Sequence, residues 1–410
     1  MGRDYQRARS FLNSLLNLEQ TYRPHSRVWN LKRMRELLKI FGGPEKEIFT
    51  VVVGGTKGKG STAYFLSEIL RESGLRVGFY HSPHLEGPRE RIWMNGKPIS
   101  ENDFADWVLR IQKQLAPNPT FTYFEILTLL AALFFREKKV DVAVYEVGMG
   151  GRLDATHVLP AKLVVLTPIH YDHEAFLGNT LKEIAGEKAA ILVPGRDAVV
   201  APQEPEARRE ILRIARRRHC PLWPPLYRKD ATVRLLGDFQ KLNAAVATRA
   251  AEILRDRYRF PVTQKAVSRG IASNHWPGRM ELFKGRPSVL LDGAHNPKSI
   301  EALCRNLKLI FPKQRKVLVF GTSRDKRSDR MIPFLAKTFD LCVLTQSRTS
   351  RAKDINLLLA EAKNYFRAVI PIPDAREAWT MAKKLARPGD LVVVTGSFYL
   401  IGEVRPLCRS

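Results

Sequence analysis

The chain is poor in cysteine and short of acid. Four cysteines, at 220, 304, 342 and 408, are spread through 410 residues, never as CxxC and never at a zinc-like spacing with histidine. A disulfide framework and a structural zinc site are both excluded, and idle thiols in a reducing compartment are expected. Apolar runs are short as well. The richest, residues 126–135, is bounded by Glu125 and Arg136 and falls far below the roughly 18 residues that cross a bilayer. The opening MGRDYQRARSFLNSLL lacks the unbroken apolar segment of a secretory leader. These absences predict a cytoplasmic protein with no membrane partner.

Acid is outnumbered: 41 Asp+Glu stand against 68 Lys+Arg, a formal net charge of +27. Such a balance raises nucleic-acid binding as a possibility. The excess is dispersed, however, with one dense cluster, ARREILRIARRR at 207–218. It reads as a helix with Ile211, Leu212 and Ile214 on an apolar stripe and no interleaved aromatics for stacking bases. A solvated basic surface is the expectation, with no specific nucleic-acid partner. An anionic small-molecule substrate suits the same sign.

With 44% hydrophobic residues the chain is globular, and its length suggests two or three domains. Short apolar strands alternate with helical stretches, the pattern of an α/β protein with a largely parallel sheet. Strands are expected near 49–53, 142–145, 163–166, 198–201, 289–291, 317–320, 341–344 and 391–395. The Pro- and Gly-containing stretch 273–287 marks a boundary, giving domains at 1–282 and 283–410.

Chemistry gathers where strands end. The segment VVVGGTKGKGST at 51–62 runs from strand through glycines into a helix, the setting of a phosphate loop. There Gly58 and Gly60 admit phosphate to the backbone, Lys59 reaches the outer phosphates, and Ser61 or Thr62 can hold Mg²⁺. Glu146 ends an apolar strand before three glycines and is a possible metal ligand. His170, Asp172 and His173 share one turn after the next strand, and Lys188 lies on a helix, where a lysine is ordinarily a surface charge. Asp292, His295 and Asn296 lie between a strand and a helix opened by Pro297. Gly396 and Ser397 repeat the strand–glycine–hydroxyl arrangement.

Taken together, GGTKGKGST, HSPHL with RERI, TYFEILT, EVGMGGRLDAT, YDHEAFLGNT, IAGEKAAIL, GDFQKLNAA, WPGRMEL, LDGAHNP, the DK of GTSRDKRSD and VTGSFYLIGEVR resemble the folylpolyglutamate synthase/dihydrofolate synthase branch of the Mur ligase superfamily. The resemblance implies a P-loop NTPase-like Mur ligase central domain followed by a smaller Rossmann-like α/β domain. It implies ATP-dependent addition of L-glutamate to dihydropteroate, or to the γ-glutamyl tail of a reduced folate, through an acyl phosphate. By position it implies ATP contacts at Gly58, Lys59, Gly60, Ser61, Thr62, Asn243, Arg279 and Asp292. Two Mg²⁺ ions are implied at Ser61, Ser82, Glu146 and His173, with a carbamylated Lys188 helping to organise them. Pterin contacts fall on Thr122, Tyr123, Phe124, Glu125, Leu153, Asp154 and Ala155. His295 and Ser397 are implied on the glutamate side, with His295, Lys59 and Lys188 near the chemistry in a monomeric enzyme. The sequence departs from the family pattern at Lys57, Phe239 and His157, none of them an implied metal ligand. Two other readings are a Mur-type ligase with a different acceptor and a basic nucleic-acid-binding ATPase.

Overall fold

The computed structural model describes residues 2–17, 30–115, 121–228, 232–273 and 275–409. Residue 274, inside the expected boundary stretch, lies outside them. By internal contacts the chain forms two compact units. The first comprises Met1–Pro83, Pro88–Arg234 and Phe239–Asn274, and the second His84–Gly87, Leu235–Asp238 and His275–Ser410.

The first unit is built on β1 (Thr50–Gly54), β2 (Val77–Tyr80), β3 (Ile92–Met94), β4 (Lys97–Pro98), β5 (Val142–Glu146), β6 (Ala161–Leu166), β7 (Ala198–Val200) and β8 (Leu222–Trp223). Their order is β4-β3-β2-β5-β1-β6-β7-β8, parallel from β2 to β8 with an antiparallel edge at β3 and β4. Every residue of β1 and β5 is buried, as unbroken Val-rich runs covered on both faces require. Because β1 sits between β5 and β6, the loops that leave these three strands emerge side by side at the carboxyl edge of the sheet. Ligands of open α/β sheets bind there.

The helix Tyr123–Glu137 is apolar almost all round and almost wholly buried. Its start is held by a capping box: Thr122 Oγ1 accepts from Glu125 N, and the Glu125 carboxylate accepts from Thr122 N at 2.7 Å. The same carboxylate takes two bonds from Arg33 Nε at 3.0 Å, with both side chains largely buried. Glu125→Ala is expected to cost roughly 3 kcal/mol or more in urea unfolding, since it strips a cap and strands a buried guanidinium. Glu125→Gln, which keeps the capping geometry, should cost visibly less.

The second unit holds β9 (Glu281–Phe283), β10 (Ser288–Asp292), β11 (Lys316–Phe320), β12 (Leu341–Gln346), β13 (Val369–Asp374) and β14 (Leu391–Thr395). They run in the order β13-β12-β11-β14-β10-β9, parallel except for β9. The core of this unit is the apolar layer of Val289, Leu291, Val317, Val319, Val392 and Val394.

All eight expected strands are present. Residues 275–410 belong to the second unit together with 84–87 and 235–238, and β9 pairs there with β10. The basic cluster is a helix, Pro205–Arg217, with Arg208, Arg209, Arg213, Arg216 and Arg217 exposed. Its buried stripe is Ala207, Glu210, Ile211 and Ala215, so Leu212 and Ile214 lie at its margin. Among the described residues, no helix is long and apolar enough to cross a membrane.

Candidate active site

At the end of β1 the chain turns sharply. Gly55 has φ +131°, and a Cβ there would lie 2.8 Å from the Thr167 carbonyl oxygen, so no other residue fits without displacing Thr167, just past the end of β6. The turn is stitched to that strand's exit: Thr56 N and Lys57 N donate to Pro168 O at 3.0 and 3.1 Å, and Thr56 Oγ1 accepts from His170 N. Gly58, at φ +82°, opens the helix Lys59–Glu72 against the Asn243 carboxamide. Asn243 is aimed by Gln240, whose Oε1 accepts from Asn243 Nδ2 at 2.8 Å. Four consecutive residues, 59–62, thus present a helix N-terminus at the sheet's carboxyl edge, an arrangement that favours anions. Thr62 Oγ1 is fully buried there with no protein partner among the described residues.

Lys188 is buried, in the last turn of the helix Leu181–Ala189, and Nζ donates to Gly55 O at 3.0 Å. Burial pushes its amine down to about 7; Lys59 acts in the same direction, while Asp172, Asp154 and Glu187 oppose. Burial therefore favours the uncharged amine.

Glu146 ends β5 with only 3% of its surface exposed, and its Oε2 accepts from Ser82 N at 3.2 Å. The predicted metal ligands Glu146 and Ser82 are thus adjacent. His173 takes a left-handed conformation (φ 53°) at the start of a short helix, with Nε2 3.8 Å from Asp172 Oδ2. Among the described residues no group of three or more His, Cys, Asp or Glu could hold a metal. Hydroxyls and a single buried carboxylate fit Mg²⁺ better than an all-protein cage would, because that ion takes most of its oxygens from phosphate and water.

The segments linked to the acceptor are only partly open. Tyr123 and Ala155 are buried. Asp154 is buried too, accepting from Met149 N at 3.0 Å and from Thr156 N and Oγ1, and burial raises its pKa. Phe124 is half-buried, and Leu153 keeps 41% of its surface exposed.

In the second unit Asp292 ends β10, accepting from Met280 N and Ala294 N at 2.9 Å, with its pKa raised by burial. Arg279 stacks over the Phe398 ring at 4.3 Å, and His295 Nδ1 lies 2.7 Å from Gly293 O. Asn296 caps the helix Pro297–Ile310, and Ser397 caps Phe398–Val404 by accepting from Tyr399 N. No sequence signal marked Arg33 or Thr167, whose contacts join residues 92 and more than 100 positions away.

A glycine-rich turn at a helix N-terminus, a buried lysine and a buried carboxylate at a strand end belong to the first unit, and a second α/β unit accompanies it. Residues 53–224 match the Mur ligase middle domain, and residues 278–398 match the Mur ligase glutamate ligase domain. A Bacillus subtilis protein named dihydrofolate synthase/folylpolyglutamate synthase is 34% identical over 435 residues, covering 98% of both chains. The chain belongs to the folylpolyglutamate synthase/dihydrofolate synthase family. Among solved structures, Escherichia coli FolC in complex with DHPP and ADP superposes with a TM-score of 0.85 at 28% identity, over 98% of this chain and 97% of that one. The bifunctional Yersinia pestis enzyme complexed with AMPPNP and Mn gives 0.83 at 25% identity, over 99% and 98%.

Proposed function

We propose that this chain joins L-glutamate to dihydropteroate and to the γ-glutamyl tail of reduced folate, using ATP. The observation that carries the reading is Lys188, buried beneath the nucleotide loop with Nζ donating to Gly55 O at 3.0 Å. A ligase that activates a carboxylate must hold a transferring phosphoryl group among fixed charges, and this lysine lies under the loop that would carry it.

The acceptor carboxylate attacks the γ-phosphorus of ATP; ADP leaves, and an acyl phosphate forms. The glutamate amine then attacks the acyl carbon, loses a proton, and expels phosphate. The backbone of Gly58–Thr62 and Lys59 cradle the phosphates, while Asn243, Arg279 and Asp292 grip the nucleotide. Thr122–Glu125 and Leu153–Ala155 hold the acceptor, Phe124 and Leu153 supplying apolar surface. His295 and Ser397 serve the incoming glutamate. Ser61, Ser82, Glu146 and His173 would hold magnesium, which would supply positive charge against the phosphates. An uncharged Lys188 amine would add CO₂ with loss of one proton, giving a carbamate anion beside the residues that would hold magnesium. The enzyme is read as a cytoplasmic monomer, testable by sedimentation.

The test is ADP release with Mg-ATP and L-glutamate, comparing dihydropteroate, tetrahydrofolate and no acceptor. Release that requires glutamate and either pterin supports the reading and separates one activity from two. Release indifferent to both but stimulated by nucleic acid would replace it with a basic ATPase. His173→Ala is expected to raise the Mg²⁺ needed for half-maximal release roughly tenfold; an unchanged titration removes His173 from the metal shell.

A further inference from the structure

The loop that follows β5 does more than carry acceptor contacts. At Gly148, a Cβ would lie 2.7 Å from the Phe124 ring, so the loop begins packed on that aromatic side chain. Three residues on, the space beside Gly151 is closed by two backbone carbonyls, those of Glu187 at 2.7 Å and Lys188 at 2.8 Å from a Cβ built there. Arg152 then bonds the same turn twice: its backbone N donates to Glu187 O at 2.9 Å, and its Nη2 pairs with Glu187 Oε1 at 2.9 Å. His157 Nδ1 lies 2.6 Å from Arg152 O. A continuous run of contacts therefore joins Phe124 to the backbone of Lys188.

We propose that Arg152, paired with Glu187, is a positioning residue that clamps the end of the lysine-bearing helix to the acceptor loop, so that occupancy of the acceptor site and placement of Lys188 are coupled. This rests on the reading of Phe124 and Leu153–Ala155 as acceptor contacts. Arg152 touches no reacting atom. The Arg152 side chain is 58% exposed, so the ion pair adds little to global stability. Its use lies in register, because a shift of about 1 Å in a reacting group can cost 10²-fold in rate.

A double-mutant cycle with Arg152→Met and Glu187→Gln tests the clamp, read by kcat, by KM for ATP, and by amide hydrogen exchange across 186–190. Each single variant is expected to lose about tenfold in kcat, with KM for ATP and the thermal midpoint essentially unchanged. The double variant should lose no more than the worse single one. In the wild-type enzyme, dihydropteroate should slow exchange at 186–190, and in Arg152→Met it should not. Wild-type kcat in Arg152→Met, or losses that multiply in the double variant, would overturn the coupling. Should the wild-type protein show no pterin-dependent ADP release, the functional reading fails. The clamp is then judged on exchange alone: equal protection of 186–190 in wild-type and Arg152→Met overturns it.

Discussion

Lys188→Ala is expected to lower turnover by roughly 10³-fold, the scale at which a charged group aimed at a transferring phosphoryl is lost. Added acetate or propionate should restore part of it by placing a carboxylate in the vacated space, which is the signature of a carbamate rather than an ammonium. Wild-type turnover in Lys188→Ala would remove the residue from the mechanism. Stability should move the opposite way. The buried amine titrates at about 7, whereas an unfolded lysine titrates near 10.4. Between those values the unfolded chain binds more protons, so the wild type loses stability as pH falls from about 10 to about 7, then levels off. Lys188→Met, which fills the same volume without a charge, should be inactive. In CO₂-free buffer it should be more stable than wild type by on the order of a few kcal/mol below pH 7, and indistinguishable above pH 10. Parallel stability–pH curves would show that the lysine is not buried uncharged.

Gly55→Ala is expected to be strongly damaging in the first unit. The left-handed φ of +131° is strained for alanine, and the new Cβ drives into Thr167 O and C at 2.8 and 3.0 Å. Strain and overlap together should cost roughly 2–5 kcal/mol in urea unfolding. The function should suffer more. Displacing the turn breaks the bonds from Thr56 N and Lys57 N to Pro168 O and moves the carbonyl that Lys188 holds. Isothermal titration should find ADP binding weakened by at least about tenfold, since the loop amides no longer converge. The new Cβ meets Thr167 Oγ1 as well as the Thr167 backbone, and the backbone overlap persists without the hydroxyl, so Gly55→Ala/Thr167→Ala should remain impaired. Wild-type ADP affinity in Gly55→Ala would show that the loop tolerates a different path.

The legible parts of this fold are those that needed no knowledge of neighbours. Strands buried on both faces must be apolar throughout, and Val51–Val53, Val317–Phe320 and Leu391–Val394 are visible for that reason. β13 was hidden because Pro371 and Pro373 interrupt it, which an edge strand tolerates. β2 was hidden because it is only four residues long, VGFY, with Gly78 placed under the Phe135 ring. The site divided in the same way. The glycines and hydroxyls of 54–62 declare an anion site through local backbone geometry. Glu125, by contrast, is committed to Thr122 and Arg33, a fact carried by a residue 92 positions away.

What the sequence by itself determined is the alternation of strand and helix, the phosphate loop and the order of motifs that marks the family, because each depends on residues close together in the chain. What only the tertiary structure decided is which polar groups are free to act. A lysine in IAGEK is a surface charge until the helix that bears it is laid under Gly55; burial then removes its solvation and lowers its pKa. Desolvation is a property of the space around a group, and here that space is closed in part by Gly55, 133 positions away in the chain.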